Sequence, residues 1–291
     1  MSQCLSLKDG VSIWHAMKWA EETLKEHQRP DAPIDAKLLM LYVMGYNETQ
    51  LLLNRQQGMP ANKMATYEEV ILKRATGIPL QHITHEQEFM GLSFYVNQNV
   101  LIPRQDTESL IERILEKSHQ NQWVTGIDIG TGTGCIGISL AYYIKGLHMT
   151  LVDISEKALE VAQYNVKAHH LENRMTLLQS NLLARYEGGK VDLIVSNPPY
   201  IAKKDMVELM IEVKDHEPHL ALTDEGDGLD FYRKISACAK DYLRPGGLLA
   251  YEIGYDQGEA VISILRNEGY EEIELFQDLA GNNRVVMAIY N

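Results

Sequence analysis

One heptapeptide limits the possible folds more than any other feature of this chain. Residues 128–134 read Asp-Ile-Gly-Thr-Gly-Thr-Gly, where the apolar run 124–128 gives way to helical spacing over 135–145. Glycines at a strand-to-helix turn tolerate positive φ and let a ligand approach the backbone, while the helix start offers free N–H donors. Two ligand classes use such a turn. Gly132, Gly134 and Gly137 satisfy GxGxxG, with Asp153 about twenty residues on, as a dinucleotide would require. Read from Asp128, the run is DxGxGxG, a loop that can cradle the methionine part of S-adenosylmethionine. Asp153 closes the segment Leu151-Val152-Asp153 and can accept hydrogen bonds from the ribose hydroxyls of either cofactor. An adenosine-containing cofactor is expected, and these residues leave its identity open.

Around this turn, extended and helical segments alternate. Strands are expected at 124–128, 148–153, 175–179, 191–196 and 248–253, with helices at 135–145, 155–169, 229–242 and 257–267. Two final strands, 271–276 and 284–290, follow without an intervening helix and should pair antiparallel. The pattern predicts an α/β fold with a mainly parallel sheet covered on both faces. The first 77 residues read instead as four short helices (11–27, 35–44, 48–54 and 62–75) separated by Pro30, Pro33, Gly45, Gly77 and Pro79. A small bundle is expected there, with a role in holding a partner or orienting the other domain rather than in chemistry. Residues 78–102 read as a β-hairpin linker turning at Gly91, and residues 103–291 as the cofactor-binding domain.

Charge and composition narrow the function classes. Residues 1–80 carry nine basic and nine acidic side chains, so the net charge of −13 belongs to the remainder, with 18 basic and 31 acidic groups. Such a body is a poor host for the phosphate contacts that dominate DNA affinity, and no direct nucleic-acid binding is expected. No apolar run approaches a membrane span, and the first ten residues lack the basic-then-apolar order of a signal peptide. Cys4, Cys135 and Cys238 are scattered without a CxxC pair, which points to reduced thiols in the cytoplasm. The pairs His82/His85 and His216/His219 lack a supporting ligand framework, so no metal is expected.

The strand at 191–196 ends in Asn197-Pro198-Pro199-Tyr200. In open parallel sheets ligands bind beyond the carboxyl ends of strands, where this tetrapeptide lies. Asn197 offers an amide oxygen. Pro198 offers a carbonyl stiffened by Pro199, which has no N–H of its own. Two fixed acceptors beside the ring of Tyr200 can grip a planar –NH2 group by both hydrogens and aim its nitrogen. An amide nitrogen is a weak nucleophile, and acceptors that favour its electron-rich, pyramidal form help more in the transition state than in the ground state. The aromatic face also favours a sulfonium charge.

With these motifs the sequence resembles the release factor glutamine methyltransferases, the HemK/PrmC family, over nearly its whole length. The matching stretches include residues 89–96 (FMGLSFYV), Leu101-Ile102-Pro103-Arg104 with Thr107-Glu108, the glycine loop, 152–155, SNPPYI at 196–201 and EPHLAL at 217–222. GDGLDFYR at 226–233, Arg244-Pro245-Gly246-Gly247, Glu252-Ile253-Gly254, and Asp278-Leu279-Ala280-Gly281 with Arg284-Val285-Val286 also match. The resemblance implies a seven-stranded, mostly parallel Rossmann-like methyltransferase sheet with an antiparallel last strand. It also implies methylation of the glutamine amide in the Gly-Gly-Gln tripeptide of class 1 peptide chain release factors, leaving S-adenosylhomocysteine. Carried over by position, Asp128, Gly130, Thr131, Gly132, Thr133, Gly134, Asp153, Asn181 and Leu182 would bind the cofactor, with Asn197 touching it as well. Asn197, Pro198, Pro199 and Tyr200 would hold the substrate glutamine, with Asn197, Pro198 and Tyr200 carrying catalysis. Phe94, Arg104 and Glu108 would form the lip, braced by Glu217 and His219.

Three departures stand out: Gln105-Asp106 replaces the usual Pro-Glu, Asn181 stands where an acidic residue is common, and His85 takes a place usually held by glycine. The rival substrates are a ribosomal-protein glutamine, against which Thr107-Glu108 argues, and adenine N6 in DNA, against which the acidic surface argues. A nicotinamide oxidoreductase would leave NPPY unexplained. A non-enzymatic binding module is disfavoured by the intact acceptors at Asn197.

Overall fold

A computed structural model describes residues 10–291; the first nine, with Cys4 and most of the stretch read for a leader, lie outside the described residues. The chain forms two compact units, and the first comprises the described residues up to His85 together with Ile211–His216.

In the first unit, α1 (Ile13–Glu26), α2 (Ala32–Met44), α3 (Glu48–Asn54), α4 (Ala61–Ala75) and α5 (Leu80–Thr84) follow one another. Their ends carry the expected punctuation. Ser12 caps α1 by accepting from His15 N–H, and Gly45 ends α2 at φ 68°. Asn47 and Gln50 close a capping box on α3. Leu24, Leu39, Met40, Tyr67 and Ile71 are buried at the centre. Within this core Arg74 donates to Asp35 (2.7 Å) and to Glu212 (2.6 Å), the latter on the short helix Ile211–His216. Residues 80–84, read from sequence as the start of the hairpin linker, are helical instead. Pro79 starts this single turn, Ile83 is buried in the bundle, and His85 ends it at φ 59°.

The second unit begins with the hairpin β1 (Glu86–Phe89) and β2 (Leu92–Tyr95), followed by α6 (Glu108–Ser118). That helix has no counterpart among the expected elements, although Leu110, Ile111 and Ile114 form a buried stripe at helical spacing. The alternating elements then run β3 (Thr125–Ile129), α7 (Cys135–Tyr143), β4 (His148–Asp153), α8 (Glu156–Ala168), β5 (Met175–Gln179) and β6 (Val191–Ser196). After α9, the Ile211–His216 helix of the first unit, come α10 (Asp230–Ala239), β7 (Leu243–Glu252), α11 (Gly258–Asn267), β8 (Glu271–Gln277) and β9 (Asn283–Tyr290). One seven-stranded sheet results, in the order β5-β4-β3-β6-β7-β9-β8. Only β9 runs against the rest, pairing antiparallel with both β7 and β8. The fold class read from the sequence is therefore the one observed.

Alternation along the strands sorts the two faces. Leu193 and Val195 join the core beneath α6 and α7, while Ile127, Ile129 and Ile194 join the core beneath α10 and α11. The order reverses between β3 and β6, so the carboxyl ends of β3, β4 and β6 converge on a topological switch point. Among the described residues no helix is long and apolar enough to cross a membrane.

Candidate active site

At the switch point lies a cavity of about 180 Å³, ample for an organic ligand where a single water needs about 15 Å³. Its wall takes Gly130 and Gly132 from the loop after β3, Asp153 from the end of β4, Asn181 and Leu182 after β5, and Asn197 to Pro199 after β6. Gly130 and Gly132 have φ values of 73° and 53°, and a Cβ at either would meet no protein atom within 4 Å. Both face open space. Gly134 and Gly137 serve packing instead, since a Cβ there would approach Ile138 Cδ1 to 2.9 Å and Leu151 Cδ2 to 2.3 Å. The motif therefore splits, its first two glycines turned to the ligand side and its last to the helix seat.

Two carboxylates hold the loop. Asp128 is fully buried; its Oδ2 accepts from the Thr131 hydroxyl (2.6 Å) and Gly137 N–H (3.0 Å). Burial pushes its carboxyl up to about 6, the two donors pulling the other way. Asp153 accepts from Gly132 N–H through Oδ2 and from Ser155 N–H through Oδ1, both at 2.9 Å. A carboxylate has about four acceptor positions, so two remain on Asp153 for hydroxyls of a ligand in the cavity. Burial raises the pKa of Asp153, with those backbone donors opposing the shift. Leu182 lines the same wall at φ 49°, a left-handed conformation that costs a branched residue about 1–2 kcal/mol. Its side chain is held where the chain would not place it unforced.

The tetrapeptide is framed from behind. Asn197 Nδ2 donates to Thr107 Oγ1 (3.4 Å). Tyr200 is not among the cavity-lining residues; its hydroxyl donates to Glu252 Oε1 (3.3 Å), and its carbonyl accepts from Gln257 Nε2 (2.9 Å). Gln257 Oε1 in turn accepts from Gly254 N–H (3.0 Å). A Cβ at Gly228 would sit 2.4 Å from the Tyr200 carbonyl oxygen, so only glycine fits there. The GDGLD and Glu-Ile-Gly motifs thus form the back wall of NPPY.

The expected lip residues sit elsewhere. Phe94 is fully buried against Phe89 and His169 in the hairpin core. Glu108 Oε1 accepts from Met90 N–H (2.6 Å), tying the hairpin to α6. Arg104 donates to the buried carboxyl of Glu217 (2.7 Å), so the pair joins the segments that carry Leu101 and Pro218 to the cavity. Thr131 is turned to Asp128, while Thr133 accepts from Cys135 N–H; neither lines the cavity. Sequence reasoning missed Thr107, Glu252 and Gln257 as individuals, and also Phe231 and Ile235, which line the cavity from α10. Helical spacing marks the last two as buried, with nothing to distinguish a cavity wall from ordinary core. Among the described residues no group of three or more His, Cys, Asp or Glu is arranged to hold a metal ion.

Comparison with known proteins agrees with this architecture. Residues 15–84 match the family model described as the PrmC N-terminal domain, and residues 105–227 match the methyltransferase small domain. A release factor glutamine methyltransferase of Clostridium acetobutylicum is 41% identical, covering 96% of this chain and 99% of its own. One of Bacillus anthracis is 37% identical, with the same coverage of both chains. Among solved structures, the hMettl16 catalytic domain in complex with a MAT2A 3′UTR hairpin superposes with a TM-score of 0.56 at 19% identity, over 76% of this chain and 82% of that one, a likeness of fold alone. Identity of this extent over nearly the full length of both chains makes this chain a member of the release factor glutamine methyltransferase family.

Proposed function

We propose that the protein transfers a methyl group from S-adenosylmethionine to the side-chain amide nitrogen of the glutamine in the Gly-Gly-Gln tripeptide of class 1 peptide chain release factors. The observation that carries this reading is the shared cavity. The free acceptor positions of Asp153 and the open faces of Gly130 and Gly132 lie in one space with the Asn197-Pro198-Pro199 turn. Those residues suit the cofactor: two carboxylate acceptors for ribose hydroxyls, a glycine cradle with room for a ligand, and an apolar shelf at Leu182 for the adenine. When bound, S-adenosylmethionine supplies an electrophilic methyl group.

The protein's own contribution is orientation. Asn197 Oδ1 and the Pro198 carbonyl accept the two amide hydrogens of the substrate, which fixes the plane of the nitrogen and favours its electron-rich form. Leu220, Ala221 and Phe231 give the cavity an apolar wall that limits water beside the reacting atoms. The helical unit holds the release factor, and the reaction belongs to the cytoplasm, where its substrate works.

The test is label transfer from methyl-labelled S-adenosylmethionine to a purified release factor, beside a copy with alanine in place of the Gly-Gly-Gln glutamine. Label is expected on the first substrate only. Asn197→Ala should lower turnover by about a hundredfold or more, the loss of one transition-state acceptor, with cofactor binding retained. Equal labelling of both copies, or none on either despite cofactor binding, would exclude this substrate.

A further inference from the structure

Two stretches that line the cavity lie away from the strand ends, and one ion pair joins them. Residues 99–101 lead into Ile102 and Arg104, while Pro218, Leu220 and Ala221 follow Glu217. We infer that residues 218–221 form a flap over the cofactor cavity, and that Glu217 is the positioning residue that clasps it shut. This rests on the cofactor half of the proposed function and not on its substrate.

The flap is thin, compact and held at both ends. Leu220 lines the cavity yet remains 55% exposed, so the wall there is one side chain thick. Ala221 N–H donates to the Pro218 carbonyl (2.9 Å) and Leu222 N–H to the His219 carbonyl (3.0 Å), which folds the flap into a single turn. At its trailing end Ile201 N–H donates to the Leu222 carbonyl (3.0 Å), a tie to the residue that follows NPPY. At its leading end the chain has just returned from the first unit, and Glu217 is its first residue in the second. There Glu217 Oε2 accepts from Arg104 Nη2 (2.7 Å) and Oε1 from Ile102 N–H (3.4 Å). With that clasp released, the turn swings on its Leu222 tie.

The clasp is suited to opening. The Glu217 side chain is buried, whereas that of Arg104 is 41% exposed, so only one partner has given up its water. Burial raises the pKa of Glu217 and the Arg104 guanidinium opposes the shift, so desolvation and pairing are set against each other. Removing Arg104 leaves a buried carboxyl that only an open flap can hydrate. Removing Glu217 takes away the clasp itself. Both changes favour the open flap.

Exchange of tritiated S-adenosylhomocysteine against unlabelled ligand reads the gate. In Arg104→Met and in Glu217→Ala its exit should be about tenfold faster or more, the loss of a hydrogen bond to a charged group. Entry should speed up as well, because a flap obstructs both directions, so affinity changes less than the exit rate. Arg104→Lys keeps a donor for Oε2 and should restore most of the slow exit. Unchanged exit in both variants, or faster exit with unaltered entry, would overturn the inference; the second result marks a lost ligand contact. Hydrogen exchange on the ligand-free protein gives an independent readout. Amides of residues 217–222 should exchange about tenfold faster in both variants, with β3 and β6 at wild-type rates. Should Glu217→Ala misfold, Arg104→Met decides, since it alters a half-exposed side chain. A wild-type protein that binds no S-adenosylhomocysteine would sink the cofactor reading. Hydrogen exchange would still decide the clasp, faster exchange confined to the flap supporting it and unchanged exchange overturning it.

Discussion

Asp128 shows how much a single buried side chain can shape the pH behaviour of this protein. Its carboxyl is pushed up to about 6, whereas in an unfolded chain it titrates near 4. Between those values the folded protein holds a proton that the unfolded chain has released. Stability from this group is full below about pH 4, falls by about 3 kcal/mol as the pH rises to 6, and is level above. Asp128→Asn keeps an oxygen for Thr131 and Gly137 but has no charge to bury. The stability of the variant relative to wild type should therefore rise by about 3 kcal/mol between pH 4 and pH 7.5. Urea unfolding of both proteins at the two pH values measures it, and a constant difference would refute it. Asp153 and NPPY were legible at this scale because each lies at the end of a strand whose pattern is plain in sequence. Glu252 and Thr107 were not, because their role exists only once β6 and β7 pair and α6 arrives beside them.

At the scale of elements, the hairpin and the glycine loop depend on one another through α8. Asn165 is fully buried there; its Oδ1 accepts from Tyr95 N–H (2.7 Å), and its Nδ2 donates to the carbonyls of Tyr95 (3.0 Å) and Thr133 (2.9 Å). Asn165→Ala removes these three hydrogen bonds, which should cost about 3 kcal/mol. The same change frees the loop, so affinity for S-adenosylhomocysteine should fall severalfold; calorimetry on the folded variant reads both. Most strands and helices were legible because period-2 and helical apolar spacing carry them. The exceptions have local causes. Residues 80–84 form a single turn too short to show a period, and its end depends on His85 accepting a left-handed backbone. Nothing in one sequence marks Asn165, a polar residue on an otherwise ordinary helix.

Across the whole molecule, two separate cores predict separable effects. Arg74 is buried in the first unit beside Asp35, whose pKa burial raises and whose charge Arg74 supports. Arg74→Ala strands that carboxyl and should cost the helical unit about 3 kcal/mol, while S-adenosylhomocysteine affinity in the second unit stays within about twofold. Thermal unfolding followed with and without that ligand checks the pair of expectations, and a joint loss would mean one cooperative body. Domain organisation was legible only as a division along the sequence, because apolar periodicity says nothing about which core a short segment joins. Ile211–His216 is the case in point: it follows NPPY by only ten residues, yet belongs with the helices of the first unit. The chain therefore passes from one unit to the other three times, not once. No single cut can separate this protein into its two parts. A fragment beginning at residue 86 would carry an orphaned helix stripped of Arg74 and Arg29, the ion-pair partners of Glu212, in the stretch that joins NPPY to the far wall of the cavity. Shortened versions made for crystallisation or fusion should replace residues 211–216 with a polar linker, or keep both units whole.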